Sequence, residues 1–435
     1  MRSSRATTGV RARRRLRHRT IASIALVLAV AIAPVLPAAG RSGPTPPPTP
    51  VRGTPSPFPT ELITPKSSVR PPHLRSPEAI LEDLDTGQVL FDIHDQTRRP
   101  IASLTKVMTA LLVLERTNLG DVVNVSPQAA SVGGVASVLG LRVGERITVR
   151  ALLDALLVQS ANDAAVALAE HVSGTEGAFV SLMNRRAEEL GLGHSTFFSP
   201  NGLDDRGRST ARDLAGLTRA AERDPEFDAI VRSRFRTIRS LTGPTRRVQN
   251  RNVLLWLYPG ATGVKTGFTT PAGHCLIASA ERGGRRLLAV VMGAPTDQAG
   301  FDDGAALLNF GFDGFVPVTL LTAGEAVGVV TVDGRRVDAA AHRTVSRLVQ
   351  RNQVDVVSRT LIPLPGLSLP VAAGERVGKV VVFVGGRKVA AAPALAARVV
   401  DRPATSTNPH QGPGPIGDAM RVLGLVVRSL FGSFL

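Results

Sequence analysis

Aromatic residues are scarce in this chain: Phe, Tyr and Trp together make up 4% of 435 residues, with a single Trp and a single Tyr. A protein that holds sugars or bases by stacking them on rings needs more such platforms, so those binding classes are disfavoured. Cysteine is nearly absent. Cys275 stands alone, which excludes an intramolecular disulfide and a cysteine-rich metal site, and it reads as a small buried core residue. His171, His194 and His274 are too scattered for metal-ligand spacing, so neither a metal nor a cofactor is expected. Lysine is the third scarcity. Of 52 basic residues only Lys66, Lys106, Lys265, Lys379 and Lys388 are lysines, and the other 47 are arginine. A guanidinium stays charged inside a protein, whereas an amine can be made to give up its proton. Each lysine kept in so arginine-rich a chain is therefore a candidate for chemistry.

The formal charge of +17 invites a nucleic-acid reading, but eight arginines precede Ile21 with no acid among them, leaving +9 for the remainder. With aromatics so few, no nucleic-acid partner is expected. After that cluster, Ile21 to Leu36 is an apolar run followed by Pro37-Ala38-Ala39-Gly40. Basic, apolar and small residues in that order mark residues 1–40 as a signal peptide or N-terminal membrane segment, and either places the remainder outside the cytoplasm, secreted or at the outer face of the membrane. Residues 41–77 are proline-rich and read as a semi-extended spacer.

Ordered structure is expected from about residue 78. Ala79 to Leu84 and Gln88 to Ile93 flank Asp85-Thr86-Gly87 as a hairpin. Helical patterns follow at Leu104 to Leu114, Leu152 to Leu157, Ala164 to His171 and Phe179 to Leu190, and strand patterns return at His274 to Ala280 and Leu287 to Met292. Strands at both ends with helices between predict an α+β domain over 78–315. Residues 316–400 switch to short valine-rich strands and glycine turns. There Ala323-Gly324-Glu325 is echoed by Ala373-Gly374-Glu375, each leading to a valine run and then a turn at Asp333-Gly334 or Gly385-Gly386, which predicts a small all-β domain with internal symmetry. A polar linker over 401–415 precedes residues 416–435, whose apolar residues recur at helical spacing with Arg421 and Arg428 on one edge. This segment reads either as an amphipathic helix lying on a membrane surface or as an ordinary terminal helix or tail.

Three short motifs occur in order: Ser103-Leu104-Thr105-Lys106, Ser160-Ala161-Asn162 and Lys265-Thr266-Gly267. Each alone is weak, and together they are specific for one kind of nucleophilic enzyme. Ser103 is expected at a helix start with Lys106 one turn on along the same face, close enough to touch. A hydroxyl attacks only when a base takes its proton, and an amine can do so only when neutral. Burial and a second cation both lower a lysine pKa, and Lys265 could supply that cation. Ser160-Ala161-Asn162 is expected to interrupt a helical stretch as a loop, with Asp163 beside it as a helix-capping acid. Lys265-Thr266-Gly267 is expected to open a strand, with Gly267 admitting a substrate backbone close to its edge.

From Ala79 to Val400 the chain resembles the D-alanyl-D-alanine carboxypeptidases of the DacA type, low-molecular-mass penicillin-binding proteins of serine peptidase family S11. The resemblance rests on the three motifs, on Ser199-Pro200-Asn201-Gly202-Leu203, on Ser209-Thr210-Ala211-Arg212-Asp213-Leu214, and on Gly263-Val264-Lys265-Thr266-Gly267-Phe268-Thr269. Asn250-Arg251-Asn252 also resembles the family's approach to its third motif. The resemblance implies a β-lactamase/transpeptidase-like catalytic domain, an antiparallel sheet with a helical subdomain, followed by the β domain. It implies Ser103 as nucleophile, Lys106 as its base and Ser160 as proton relay. Asn162 would hold the stem amide and orient Lys106, while Lys265, Thr266 and Gly267 would receive the substrate, with Arg251 near its carboxylate. Backbone N–H groups of Ser103 and Phe268 would form the oxyanion hole. The implied partners are peptidoglycan stem peptides ending in D-Ala-D-Ala, and β-lactams as acylating inhibitors.

One departure stands out. Where some relatives carry an arginine ahead of the helix beside the active site, this chain has Gly300-Phe301-Asp302, which implies a looser clamp on the terminal carboxylate and leaves D,D-endopeptidase cleavage open. A class A β-lactamase would need a glutamate for its deacylating water, and none occurs in a fitting context between Asn162 and Lys265. A non-catalytic cell-wall binding protein on the same fold would not need the full set of motif residues.

Overall fold

The computed structural model describes residues 70–133 and 137–402. The segments expected as export signal and C-terminal amphipathic helix lie outside the described residues, as does most of each linker. Among the described residues, no helix is long and apolar enough to cross a membrane.

A five-stranded antiparallel sheet joins the two ends of the catalytic region. Its strands are β1 (Glu78–Asp83), β2 (Val89–Ile93), β3 (Ala261–Thr269), β4 (Gly273–Arg282) and β5 (Arg285–Ala294), in spatial order β2-β1-β5-β4-β3. The expected hairpin at Asp85-Thr86-Gly87 is present: Asp83 turns the chain by accepting from Thr86 N at 2.8 Å. Because side chains alternate across a strand, both faces of the sheet can be apolar and covered. Ile277, Leu288, Val290 and Met292 point to one face, and Leu276, Ala278, Leu287, Ala289 and Val291 to the other. Cys275 is buried within the first face, and burial pushes its thiol up to about 11, an inert core residue.

The first face is covered by helices. The chain enters through a 3₁₀ turn, Ala102–Thr105, and runs into α1 (Lys106–Arg116), whose first eight residues are all buried. A helix apolar on every side belongs in the middle of a core. Around it lie α2 (Asn162–Ser173), α3 (Glu176–Glu189) and α4 (Ala211–Ala221). The other face is covered by α5 (Asp297–Gly314), capped by Thr296, whose hydroxyl accepts from Ala299 N at 3.0 Å. In the first turns of α5, Asp303 accepts from Arg75 N and Ser76 N, so residues expected at the end of the spacer are already tied into the fold.

The β domain begins directly after α5 with the strand Phe315–Leu321. Two hairpins, Ala326–Val332 with Arg335–Ala341 and Arg376–Val384 with Arg387–Ala396, meet through Ala339–Ala341 and Ala394–Ala396. The sequence echo is a structural repeat down to single hydrogen bonds. Glu325 accepts from Thr322 N and Glu375 from Ala372 N, both at 2.9 Å, while Gly324 N and Gly374 N reach Ala341 O and Ala396 O at 2.8 Å. Gly324 and Gly374 both take φ of 79°, a left-handed conformation natural to glycine.

Two local expectations differ from what forms. Lys265-Thr266-Gly267 does not open its strand but lies in the second half of β3, because Ala261 to Val264 also pair with β4 from Ala278 to Ala280. Glycine and small residues at 260–263 gave that first half no strand signal. Asp163 is not a cap: the N-cap of α2 is Ala161, and Asp163 sits in the first turn.

Candidate active site

The 3₁₀ turn presents Ser103 above Lys106, and the Lys106 amine lies 2.9 Å from Ser103 Oγ. Lys106 is fully buried. Its Nζ donates to Asn162 Oδ1 at 2.7 Å and to the Asn201 carbonyl at 2.6 Å. Both partners can only accept, so a neutral amine spends its two N–H groups on them and turns its lone pair toward the Ser103 hydroxyl. Burial drives the Lys106 pKa well below its ordinary value, and the charge on Lys265 pushes the same way against the smaller opposing pull of Asp163.

Asn162 reaches Lys106 because the helix before it fails in a specific way. Ala155–Gln159 forms one wide π turn, Ser160 takes a left-handed conformation at φ 68° and ψ 35°, Ala161 is extended, and Asn162 starts α2. The interruption expected at this motif is therefore present, but as a π turn and a single left-handed residue. Ser160 is buried, and its Oγ makes no hydrogen bond to Ser103, Lys106 or Lys265. Asp163 fixes the neighbouring loop by accepting from Leu139 N (2.8 Å), Gly140 N (2.8 Å) and Leu141 N (3.0 Å). Asn162 N in turn donates to Ser137 O at 2.8 Å.

The third motif closes the opposite wall. A Cβ placed on Gly267 would lie 3.1 Å from Ser103 N and 3.2 Å from both Ile101 O and Leu104 N, so the strand packs directly on the turn carrying the nucleophile. Lys265 is buried and donates to the Thr266 carbonyl at 2.8 Å; burial, with the nearby charge of Arg251, lowers its pKa to about 7. Arg251 is exposed, with its backbone N–H on Val158 O and its Nε 3.4 Å from Gln159 O. Phe268 is 55% exposed and stacks on His274 at 4.3 Å, and His274 Nδ1 lies 2.7 Å from Asp297 Oδ1.

Sequence reasoning did not assign Asn201 a role. The motif text around it was visible, but its contribution is a carbonyl oxygen, which any residue type could supply. The legible trace is Gly202, with φ of 78°, where a Cβ would fall 1.9 Å from Ala102 O. Asn201 is thereby held against the nucleophile's turn, and Thr109 fixes the residue before it by donating to Pro200 O at 2.6 Å.

Residues 65–296 match the family model described as D-alanyl-D-alanine carboxypeptidase, and residues 315–402 match that of the penicillin-binding protein 5 C-terminal domain. The chain belongs to the D-alanyl-D-alanine carboxypeptidase family. It is 34% identical to the Bacillus subtilis D-alanyl-D-alanine carboxypeptidase DacF over 328 residues, 73% of this chain and 84% of that one. The structure of penicillin-binding protein 5 from Haemophilus influenzae superposes with a TM-score of 0.66 at 31% identity, covering 77% of this chain and all of the other. The Streptomyces K15 DD-transpeptidase is also similar, with a TM-score of 0.54 and 32% identity over 56% of this chain and 99% of that one. The carboxypeptidase family thus accounts for the α+β catalytic fold and for the β domain appended to it.

Proposed function

We propose that this chain is a serine-type D-Ala-D-Ala carboxypeptidase that removes the terminal D-alanine of peptidoglycan stem peptides through an acyl-enzyme. The observation that carries the reading is the Lys106 amine, buried, held by two acceptors and 2.9 Å from Ser103 Oγ. Ser103 Oγ attacks the carbonyl carbon between the two D-alanines while Lys106 Nζ takes its proton. The oxyanion is held by the backbone N–H groups of Ser103 and Phe268, which fits the close packing of β3 on the 3₁₀ turn. Ser160 relays a proton to the departing D-alanine amine, and water then cleaves the ester to free Ser103. Asn162 orients Lys106 and takes the stem amide, while Lys265 and Thr266, with Arg251 beside them, receive the carboxylate. β-Lactams present a comparable acyl group and acylate Ser103.

A first test measures D-alanine release from a peptide ending in D-Ala-D-Ala, with Ser103→Ala beside the unaltered chain. Release abolished by the substitution supports the assignment. Release from neither form, with penicillin labelling of Ser103 intact, points instead to D,D-endopeptidase action. One observation favours that second reading: Gly300, Phe301 and Asp302 lie within the first two turns of α5 rather than ahead of it, Asp302 is bonded to Arg75, and this helix, which holds no lysine or arginine, offers no cation to a terminal carboxylate.

The protein works outside the cytoplasm, secreted or at the outer membrane face, a reading supported by the arginine cluster and the apolar run at 21–36. Residues 416–435 bind the membrane surface in this reading. Equal partitioning into lipid vesicles with and without that segment would remove the membrane role.

A further inference from the structure

Two of the five lysines belong to the active site, and Lys66 lies outside the described residues. The remaining two are in the β domain, where the catalytic reading has no use for them. Lys388 lines a cavity of about 490 Å³ between the β1–β2 hairpin of the catalytic domain and the β domain. Its walls also carry Arg347 and Arg387, with Gln88, Gln353 and Phe315, and no aspartate or glutamate lines it. Among the described residues, none of the three cations pairs with a carboxylate, and Arg347 donates only to the Ser346 carbonyl. Asp85, within the hairpin turn, pairs with Arg286 at 3.3 Å.

The cavity has a constructed floor. Gln88 spans the two domains with both ends of its side-chain amide: Nε2 donates to Leu348 O at 2.6 Å, and Oε1 accepts from Leu348 N at 3.0 Å. A second cavity of about 420 Å³ adjoins it, sharing Val89, Leu90, Phe315, Gln350 and Arg387, and it is lined by Phe91, Phe310 and Pro71. Its other charges are Asp92 and Arg212, the latter paired with Asp95 at 2.5 Å. One half of the groove is thus cationic and rich in donors, and the other sets the rings of Phe91 and Phe315 beside the polar groups of Asp92, Arg212 and Gln350.

We infer that this groove binds a phosphate monoester, with the phosphate among Arg347, Arg387 and Lys388 and its organic body against Phe315 and Phe91. A monoester carries close to two negative charges at neutral pH and three acceptor oxygens, which matches three unpaired cations better than a single carboxylate does. The two guanidinium forks suit bidentate binding, and the lysine contributes a point charge.

The test is calorimetric titration of the full chain with phenyl phosphate, orthophosphate and benzoate at matched ionic strength. Phenyl phosphate is expected to saturate one site, to bind more tightly than orthophosphate, and to bind at least about tenfold more tightly than benzoate. Arg387→Ala with Lys388→Ala is expected to weaken it tenfold or more, and Arg347→Gln, on a separate strand, to weaken it too. Penicillin acylation of Ser103 stays unchanged in each variant, which verifies the fold. No saturable binding, benzoate binding as tight as phenyl phosphate, or variants that bind like the unaltered chain would each overturn the site. Equal affinity for phenyl phosphate and orthophosphate would overturn the role of Phe315 and Phe91.

Discussion

Lys106 and Lys265 have opposite requirements. Lys106 must be neutral to accept the Ser103 proton, and Lys265 must be charged to attract a carboxylate. Burial lowers both pKa values, and the charge on Lys265 lowers that of Lys106 further. For the free enzyme, kcat/KM therefore requires Lys106 without its proton and Lys265 with its own, and the second condition fails on an alkaline limb as pH rises through about 7. Lys265→Arg keeps the charge at all working pH values. Its kcat/KM relative to the unaltered chain is expected to climb between about pH 6 and pH 9, as the alkaline limb disappears. An unchanged alkaline limb would mean that another group sets it. Lys106→Arg is expected to lose about 10²- to 10⁴-fold in penicillin acylation rate, because a guanidinium cannot act as the base.

Gly267 sets how closely a strand and a helical turn approach. A methyl group there meets backbone atoms of Ile101, Ser103 and Leu104 at 3.1–3.2 Å, and backbone cannot rotate away as a side chain can. Gly267→Ala is expected to cost about 1–3 kcal/mol in chemical denaturation and to slow acylation by a greater factor than it weakens non-covalent substrate binding. Equal acylation rates would show that the turn shifts without cost. At this scale the sequence was legible wherever a residue type is chemically irreplaceable: Ser103, Lys106, Asn162 and Lys265 stand together as their motifs imply. It was opaque where backbone does the work. Ala155–Gln159 has the apolar character of any buried helix, and hydrophobic spacing over five residues does not distinguish a π turn from an α turn. Asp163 next to a helix start looks like a cap, and only the folded loop reveals three amides from Leu139 to Leu141 waiting for it.

Across the whole molecule, the Gln88 amide joins the catalytic and β domains like one extra peptide unit added to a strand. Losing both of its hydrogen bonds in Gln88→Ala is expected to cost about 1–3 kcal/mol. The single tryptophan, Trp256, lies in the catalytic region, so its fluorescence follows that domain alone while far-ultraviolet circular dichroism follows both. The two denaturation curves are expected to separate in Gln88→Ala, and curves that stay superimposed would show that other contacts hold the domains together. The central sheet ends in two edge strands, β2 toward the β domain and β3 against the nucleophile's turn. An uncovered edge invites pairing with another copy of the chain. The contact at Gly267 bears on solubility as well as chemistry: a substitution that pries the Ser103 turn from β3 loosens the buried Ile101 and Leu104 from the core beside that edge, and the damaged enzyme is expected to aggregate as well as slow down.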